Sequence, residues 1–160
     1  MKVETPLTFN VTTPQDSIPG SALIITLPYS LPSGSFFTLS ITYTTLPSAN
    51  AFSWLKPSQT LGKSKPYLFT QCQALACRSV APMQDTPAVK ITYDSNVTIP
   101  NDLRAKMSAN STGYEEVNGT HTKFMFRNDM KIPSYLIALA VGDIKYHSLG
   151  RRVGVISEPE

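Results

Sequence analysis

The chain has 160 residues, room for one ordinary domain. Hydrophobic residues make up 41% and charged residues only 16%, against about 25% charged in an average globular protein, which excludes a highly charged disordered tail. The net charge of +3 is scattered, with Lys63/Lys65 and Arg151/Arg152 the only close basic pairs, so no basic stripe marks a nucleic-acid interface.

Thirteen prolines against eight glycines interrupt a chain rich in Thr, Val, Ile, Tyr and Phe. Proline breaks helices and central strands, so the composition predicts short strands joined by loops and excludes a helical bundle. The segment Met1 to Pro6 lacks the apolar core of a signal peptide, and the longest apolar run, Tyr135 to Val141, is far short of a membrane span. A cytoplasmic protein is expected. Sequons at Asn10, Asn96, Asn110 and Asn118 pull weakly toward secretion, but they arise readily by chance in so Thr-rich a chain.

Residues 1–20, with Pro6, Pro14, Pro19 and Gly20, are poorly specified, apart from a short edge strand at 8–12. Ala22 to Leu27 reads as a strand, Pro32-Ser33-Gly34-Ser35 as a turn, and 36–45 as a second strand alternating Phe37, Leu39, Ile41 and Tyr43. Together they predict an antiparallel hairpin. Pro47 to Lys65 reads as a loop anchored by a buried Trp54. Strands are predicted at 66–71 and 88–99, with one helical turn within 74–80. A turn at Pro100-Asn101-Asp102 leads to a short strand at 103–109, and Asn110 to Thr120 reads as a polar hairpin tip. Strands at 122–130, 135–141 and 152–156 complete the chain, the second of them central and covered on both faces. The sum is an antiparallel sandwich or curved sheet with a core of Ile24, Phe37, Leu39, Ile41, Phe69, Ile91, Phe124, Leu136, Ile137 and Leu139.

Catalytic chemistry is nearly absent. His121 and His147 stand alone, without an H-E-x-x-H helix. Cys72 and Cys77 lack a second Cys/His pair to complete a tetrahedral metal site and read as packed free thiols. No G-x-S-x-G elbow or phosphate loop occurs.

One stretch is more specific. After a strand comes Thr70-Gln71-Cys72-Gln73-Ala74, then Arg78 in a short turn. The corner Pro82-Met83-Gln84-Asp85-Thr86-Pro87 follows, and then the strand Lys90-Ile91-Thr92-Tyr93. This pattern resembles the N-terminal domain of the zinc aminopeptidases of the leukotriene-A(4) hydrolase group, and Lys131 to Gly142 resembles its closing strands. The glutamine form Q-C-Q-A, rather than the glutamate form of broader aminopeptidases, points to that subgroup. The resemblance implies an all-β fold of saddle-shaped, mostly antiparallel curved sheets, with 1–160 as a single N-terminal β-domain. Neither G-x-M-E-N nor H-E-x-x-H of the family's catalytic domain occurs in this sequence, and the chain is expected to lack the family's first strands and that catalytic domain.

The implied function is that of a substrate-lining domain: removal of peptide N-terminal residues by the parent enzyme, with epoxide hydrolysis as the subgroup's second activity. The chain alone is expected to be inactive and to hold no cofactor, zinc belonging to the parent enzyme. Its expected partners are its own catalytic domain and, in the full-length enzyme, a peptide substrate. No nucleic acid or membrane partner is expected, and the isolated fragment is expected to self-associate. Gln71, Cys72, Gln73 and Ala74 are the candidate substrate-binding residues. In a strand, side chains 71 and 73 share a face, and two neutral amides can accept from an ammonium and donate to a carbonyl. Glutamines that merely bond neighbouring backbone are the competing reading. For the whole chain, the alternative is a secreted, stand-alone β-sandwich binding module. Asp85 and Thr86 before Pro87 read as a corner, with Arg78 placed to pair with Asp85 across the turn.

Overall fold

The structure, a computed structural model, describes residues 5–13 and 20–159; Pro14, Pro19 and Glu160 lie outside them. It forms two compact units, Met1–Leu46 and Pro47–Glu160.

In the first unit β1 (Phe9–Val11) pairs antiparallel with β2 (Leu23–Ile25), Phe9 opposite Ile25. Thr12 closes one end, its amide donating to the Ala22 carbonyl at 3.0 Å and its hydroxyl accepting from the Ala22 amide at 2.9 Å. The turn at 32–35 forms as expected, with the Ser35 amide on the Pro32 carbonyl at 3.1 Å and Gly34 at φ +83°. Only glycine adopts that backbone angle without steric cost. The expected strand at 36–45 does not form, nor does its hairpin with 22–27. Alternation selects a face but not a neighbour: β2's ladder goes to β1, and no described strand lies beside 36–45. Ile24, Phe37 and Ile41 are accordingly exposed, not core, and Leu39 is half-buried.

The second unit holds nine strands: β3 (Phe52–Leu55), β4 (Tyr67–Thr70), β5 (Lys90–Pro100), β6 (Arg104–Met107), β7 (Asn110–Glu116), β8 (His121–Pro133), β9 (Leu139–Gly142), β10 (Lys145–Ser148) and β11 (Gly154–Ser157). They form a four-stranded sheet in the order β3-β4-β9-β6, a three-stranded sheet in the order β5-β8-β7, and a separate β10-β11 hairpin. All pairings are antiparallel. The helical content among the described residues is three single 3-10 turns, Pro57–Gln59, Cys77–Ser79 and Ser134–Leu136. No helix among them is long and apolar enough to cross a membrane.

The two larger sheets meet across one buried cluster. Leu68, Ala105 and Val141 come from the first; Ile99, Phe124 and Phe126 come from the second, with Leu103 between them. Period-2 patterning explains the choice. Leu68, flanked by Tyr67 and Phe69, points inward, so Phe69 lies on the other face and is exposed rather than core. Phe124 is buried as expected; Ile91, Ile137 and Leu139 are half-buried.

Three further expectations change. Residues 52–55 form a strand rather than a loop, and Trp54 is 65% exposed, because β3 is the edge of its sheet. Asn110 to Glu116 is a full strand, and only 117–120 turns. Its polarity reflects a solvated strand rather than a tip, every residue but Gly113 being exposed. The run 135–141 breaks in two: after Pro133 a 3-10 turn covers Ser134–Leu136, leaving Leu136 49% exposed, and β9 begins at Leu139. β9 itself is central, flanked by β4 and β6.

Gly142, buried at the end of β9, lies beneath the Tyr67 ring, and a Cβ there would strike that ring. Gly142→Ala is therefore an overpacking change, expected to lower stability by about 1–3 kcal/mol. Urea denaturation checks it: an unchanged midpoint would show that the ring gives way freely.

Candidate functional site

β4 stops at Thr70, so Gln71 to Ala74 lies just beyond the strand rather than within it. The alternation nevertheless continues as far as Gln73: Gln71 and Gln73 are exposed and Cys72 is buried, while Ala74 is exposed as well. The Gln71 amide donates to the Ala51 carbonyl at 2.8 Å, extending the β3–β4 ladder by one bond. The Gln73–Ala74 peptide is cis. The Ala76 amide then donates back to the Cys72 carbonyl at 2.9 Å, and the chain enters the 3-10 turn.

A second buried cluster sits beneath this loop. Ala51, Cys72 and Cys77 are its centre, packed by Ala76, Val80, Met83, Tyr135 and Ile137. Ser79 ties it to β3, its hydroxyl accepting from the Ala51 amide at 3.1 Å and donating to the Ala76 carbonyl at 2.7 Å. Both cysteines are free thiols. Hydrogen bonding with Cys72 and burial push the Cys77 thiol up, and it donates to the Ser134 carbonyl at 3.1 Å.

Asp85 joins the pieces. Its side chain is only 1% exposed, and its carboxylate accepts from the Arg78 amide at 2.9 Å, Arg78 Nε at 3.2 Å and the Ser134 hydroxyl at 2.5 Å. Arg78 Nη2 also donates to the Asp85 carbonyl at 3.0 Å. The Arg78–Asp85 pair expected from sequence is thus present. Ser134 is the partner that sequence reasoning missed, because it lies 49 residues away and carries no local signal. Burial pushes the Asp85 carboxyl up, but the Ser134 hydroxyl and the Arg78 amide and guanidinium outweigh it and hold the group below the usual carboxylate range.

Nearby, the Tyr93 hydroxyl and Ser108 Oγ are 3.0 Å apart, and Ser108 Oγ accepts from the Ala138 amide at 2.8 Å. This fastens the strand of the Lys90-Ile91-Thr92-Tyr93 motif to the approach to β9. The donor set does not fit a metal. Among the described residues no three His, Cys, Asp or Glu side chains come together, and the His121 ring is engaged with the Thr120 hydroxyl at 2.8 Å.

The profile of the peptidase M1 N-terminal domain matches residues 3–136. The chain belongs to that family. It is 44% identical to leukotriene A-4 hydrolase of Xenopus laevis over 146 residues, 90% of this chain and 24% of the relative. It is also 44% identical to leucine aminopeptidase 2 of Yarrowia lipolytica over 144 residues, 88% of this chain and 21% of that protein. The structure of native leukotriene A4 hydrolase from Saccharomyces cerevisiae superposes with a TM-score of 0.74 at 27% identity, covering 97% of this chain and 23% of that one. The chain thus spans about a quarter of the length of the relatives it matches. The match assigns the chain to the N-terminal domain of this peptidase family.

Asp85→Asn keeps the shape but removes the charge facing Arg78, with an expected loss of about 2–3 kcal/mol, since Arg78 is a third exposed and partly resolvated. The pH dependence follows from the depressed carboxyl. The stabilisation is full above the ordinary carboxylate value of about 3.9 and is lost as pH falls through the lower folded value. Denaturation midpoints from neutral to strongly acidic pH should show a drop in the parent chain that Asp85→Asn flattens. Parallel curves would overturn this role.

Proposed function

We propose that residues 1–160 form one N-terminal domain of a zinc aminopeptidase of the leukotriene A-4 hydrolase type, and that Gln71, Cys72, Gln73 and Ala74 line the amino-terminal end of its substrate cleft. The family match runs from 3 to 136 and so crosses both compact units, which supports treating them as one domain. The observation that carries the reading is the exposed Gln71/Gln73 pair on a loop anchored from beneath by Cys72, Cys77 and Asp85. An exopeptidase must recognise a free ammonium where the substrate ends. The Gln73 amide oxygen accepts from that ammonium, and the Gln71 amide stands two residues away to accept a second bond or to donate to a substrate carbonyl. Cys72 contributes its backbone and fills the cluster below, so its role is to hold the two amides in place.

In this reading the domain measures the chain end and performs no chemistry itself. Zinc, when bound by the catalytic domain of the parent enzyme, supplies the activated water. The isolated chain is inactive, and the parent acts in the cytoplasm on peptides and, in this subgroup, on a lipid epoxide as well.

In a full-length enzyme carrying this domain, Gln73→Ala removes one hydrogen bond to a charged group, worth about 1.5–3 kcal/mol, and should lower peptide kcat/KM by about tenfold to 150-fold with zinc content unchanged. Gln73→Glu should be better tolerated by peptides and should harm an anionic lipid substrate. If Gln73→Ala stays within twofold, the glutamine is structural.

The same reading makes the isolated chain self-associate. Phe36, Phe37 and Leu46 are all strongly exposed, and such apolar surface promotes association. Sedimentation velocity should give a mass that rises with concentration, and a strict monomer throughout would count against it.

A further inference from the structure

The β10–β11 hairpin carries a local excess of cations. Lys145, Arg151 and Arg152 account for the whole formal net charge of +3: the eleven other basic residues are matched by eleven acidic ones, none of them between 144 and 157. Every residue from Lys145 to Ser157 is exposed. The acids at the two roots are turned to the rest of the unit, Asp143 lying 3.6 Å from Lys65 and Glu158 accepting from the Leu61 amide at 3.2 Å. No carboxylate among the described residues pairs with the hairpin's cations.

The far end of the hairpin is the loop Leu149-Gly150-Arg151-Arg152-Val153, closed by the Leu149 amide on the Val153 carbonyl at 2.9 Å and by the Ser148 hydroxyl on the Gly150 carbonyl at 3.2 Å. Leu149 and Val153 are 69% and 60% exposed, so two apolar side chains flank two arginines at the outermost point. The Tyr146 ring lies against Gly154, at the loop end of the ladder, where a Cβ would collide with it.

We propose that this hairpin docks on a phospholipid surface rich in anionic headgroups, with Arg151 and Arg152 on the phosphates and Leu149 and Val153 at the acyl boundary. The charge alone fits any polyanion. The apolar pair is what selects lipid, because only a bilayer offers a phosphate layer directly above an apolar one. Nucleic acid matches the arginines but leaves Leu149 and Val153 in water. The sequence expectation of no membrane partner rested on the lack of a spanning apolar run, which does not bear on contact with a lipid surface. The inference is independent of the substrate reading above.

The test is co-sedimentation of the 160-residue chain with vesicles of phosphatidylcholine containing about one third phosphatidylserine, against pure phosphatidylcholine. Binding is expected only on the mixed vesicles and should weaken steeply with salt. Arg151→Gln with Arg152→Gln should reduce partitioning by about 30-fold. Leu149→Ser should weaken binding while leaving its salt dependence unchanged. All three positions are exposed, and a far-ultraviolet spectrum confirms that each variant is folded. No binding to mixed vesicles, equal binding to both kinds, or equal affinity for polyglutamate or a short DNA duplex would each overturn the proposal.

Discussion

A single buried carboxylate organises the turn and corner that follow β4. Asp85 comes from a proline-flanked corner, Arg78 from a 3-10 turn and Ser134 from the turn before β9, and their mutual hydrogen bonds, with the apolar cluster of Cys77, Met83 and Tyr135, bring these three places together. Burying a charge is costly unless every lone pair is used, and here Asp85 receives an amide, a guanidinium and a hydroxyl. The geometry of the loop 71–74 follows from this node through short links. Arg78 follows Cys77, Cys77 donates to the same Ser134 that Asp85 holds, and Cys72 shares their apolar cluster. The exposed amides stand on a frame whose most polar member is also among its most enclosed.

The two larger sheets supply the rigidity behind this node. Their core draws on alternate residues of five strands and contains no ionisable side chain. Polar fastening is confined to the margins, where Asn101 accepts from the Thr122 hydroxyl at 2.8 Å and ties the β5–β6 turn to β8. The four-stranded sheet carries the loop at the end of β4, and the three-stranded sheet backs it. The loop therefore leaves directly from a strand of the packed core.

Much of this was legible in the sequence, for a definable reason. The strands at 67–70, 90–100 and 121–133 carry their own period-2 patterns, and the motif from Thr70 to Tyr93 carries its turn chemistry locally. What escaped depends on information that is not local. Residues 36–45 have the pattern of a strand without a described neighbour, and Trp54 has the size of a core residue on a strand with no neighbour at its outer edge. Asn110 to Glu116 was concealed by polarity, because a solvated strand and a loop share a composition. At the site, the pairing of Arg78 with Asp85 spans seven residues and could be read directly, whereas Ser134 could not. The exposure of Gln71 and Gln73 follows from alternation even past the strand's end.

The position of β9 bears on how the chain comes to be folded at all. The four-stranded sheet is joined through a strand that pairs Leu68 with Val141, while the Leu139 amide reaches the Thr70 hydroxyl across 69 residues. By contrast, β7 and β8 are adjacent in sequence and close on each other across a short turn. Loop-closure entropy favours the adjacent pair first and leaves the strand that fastens β4 until last. On the ribosome, the loop bearing Gln71 and Gln73 is made early yet has no Ser134 beneath it and no β9 beside it. Its final geometry is acquired only when Ser134 and β9 have emerged, so the loop and the completed sheet arrive together.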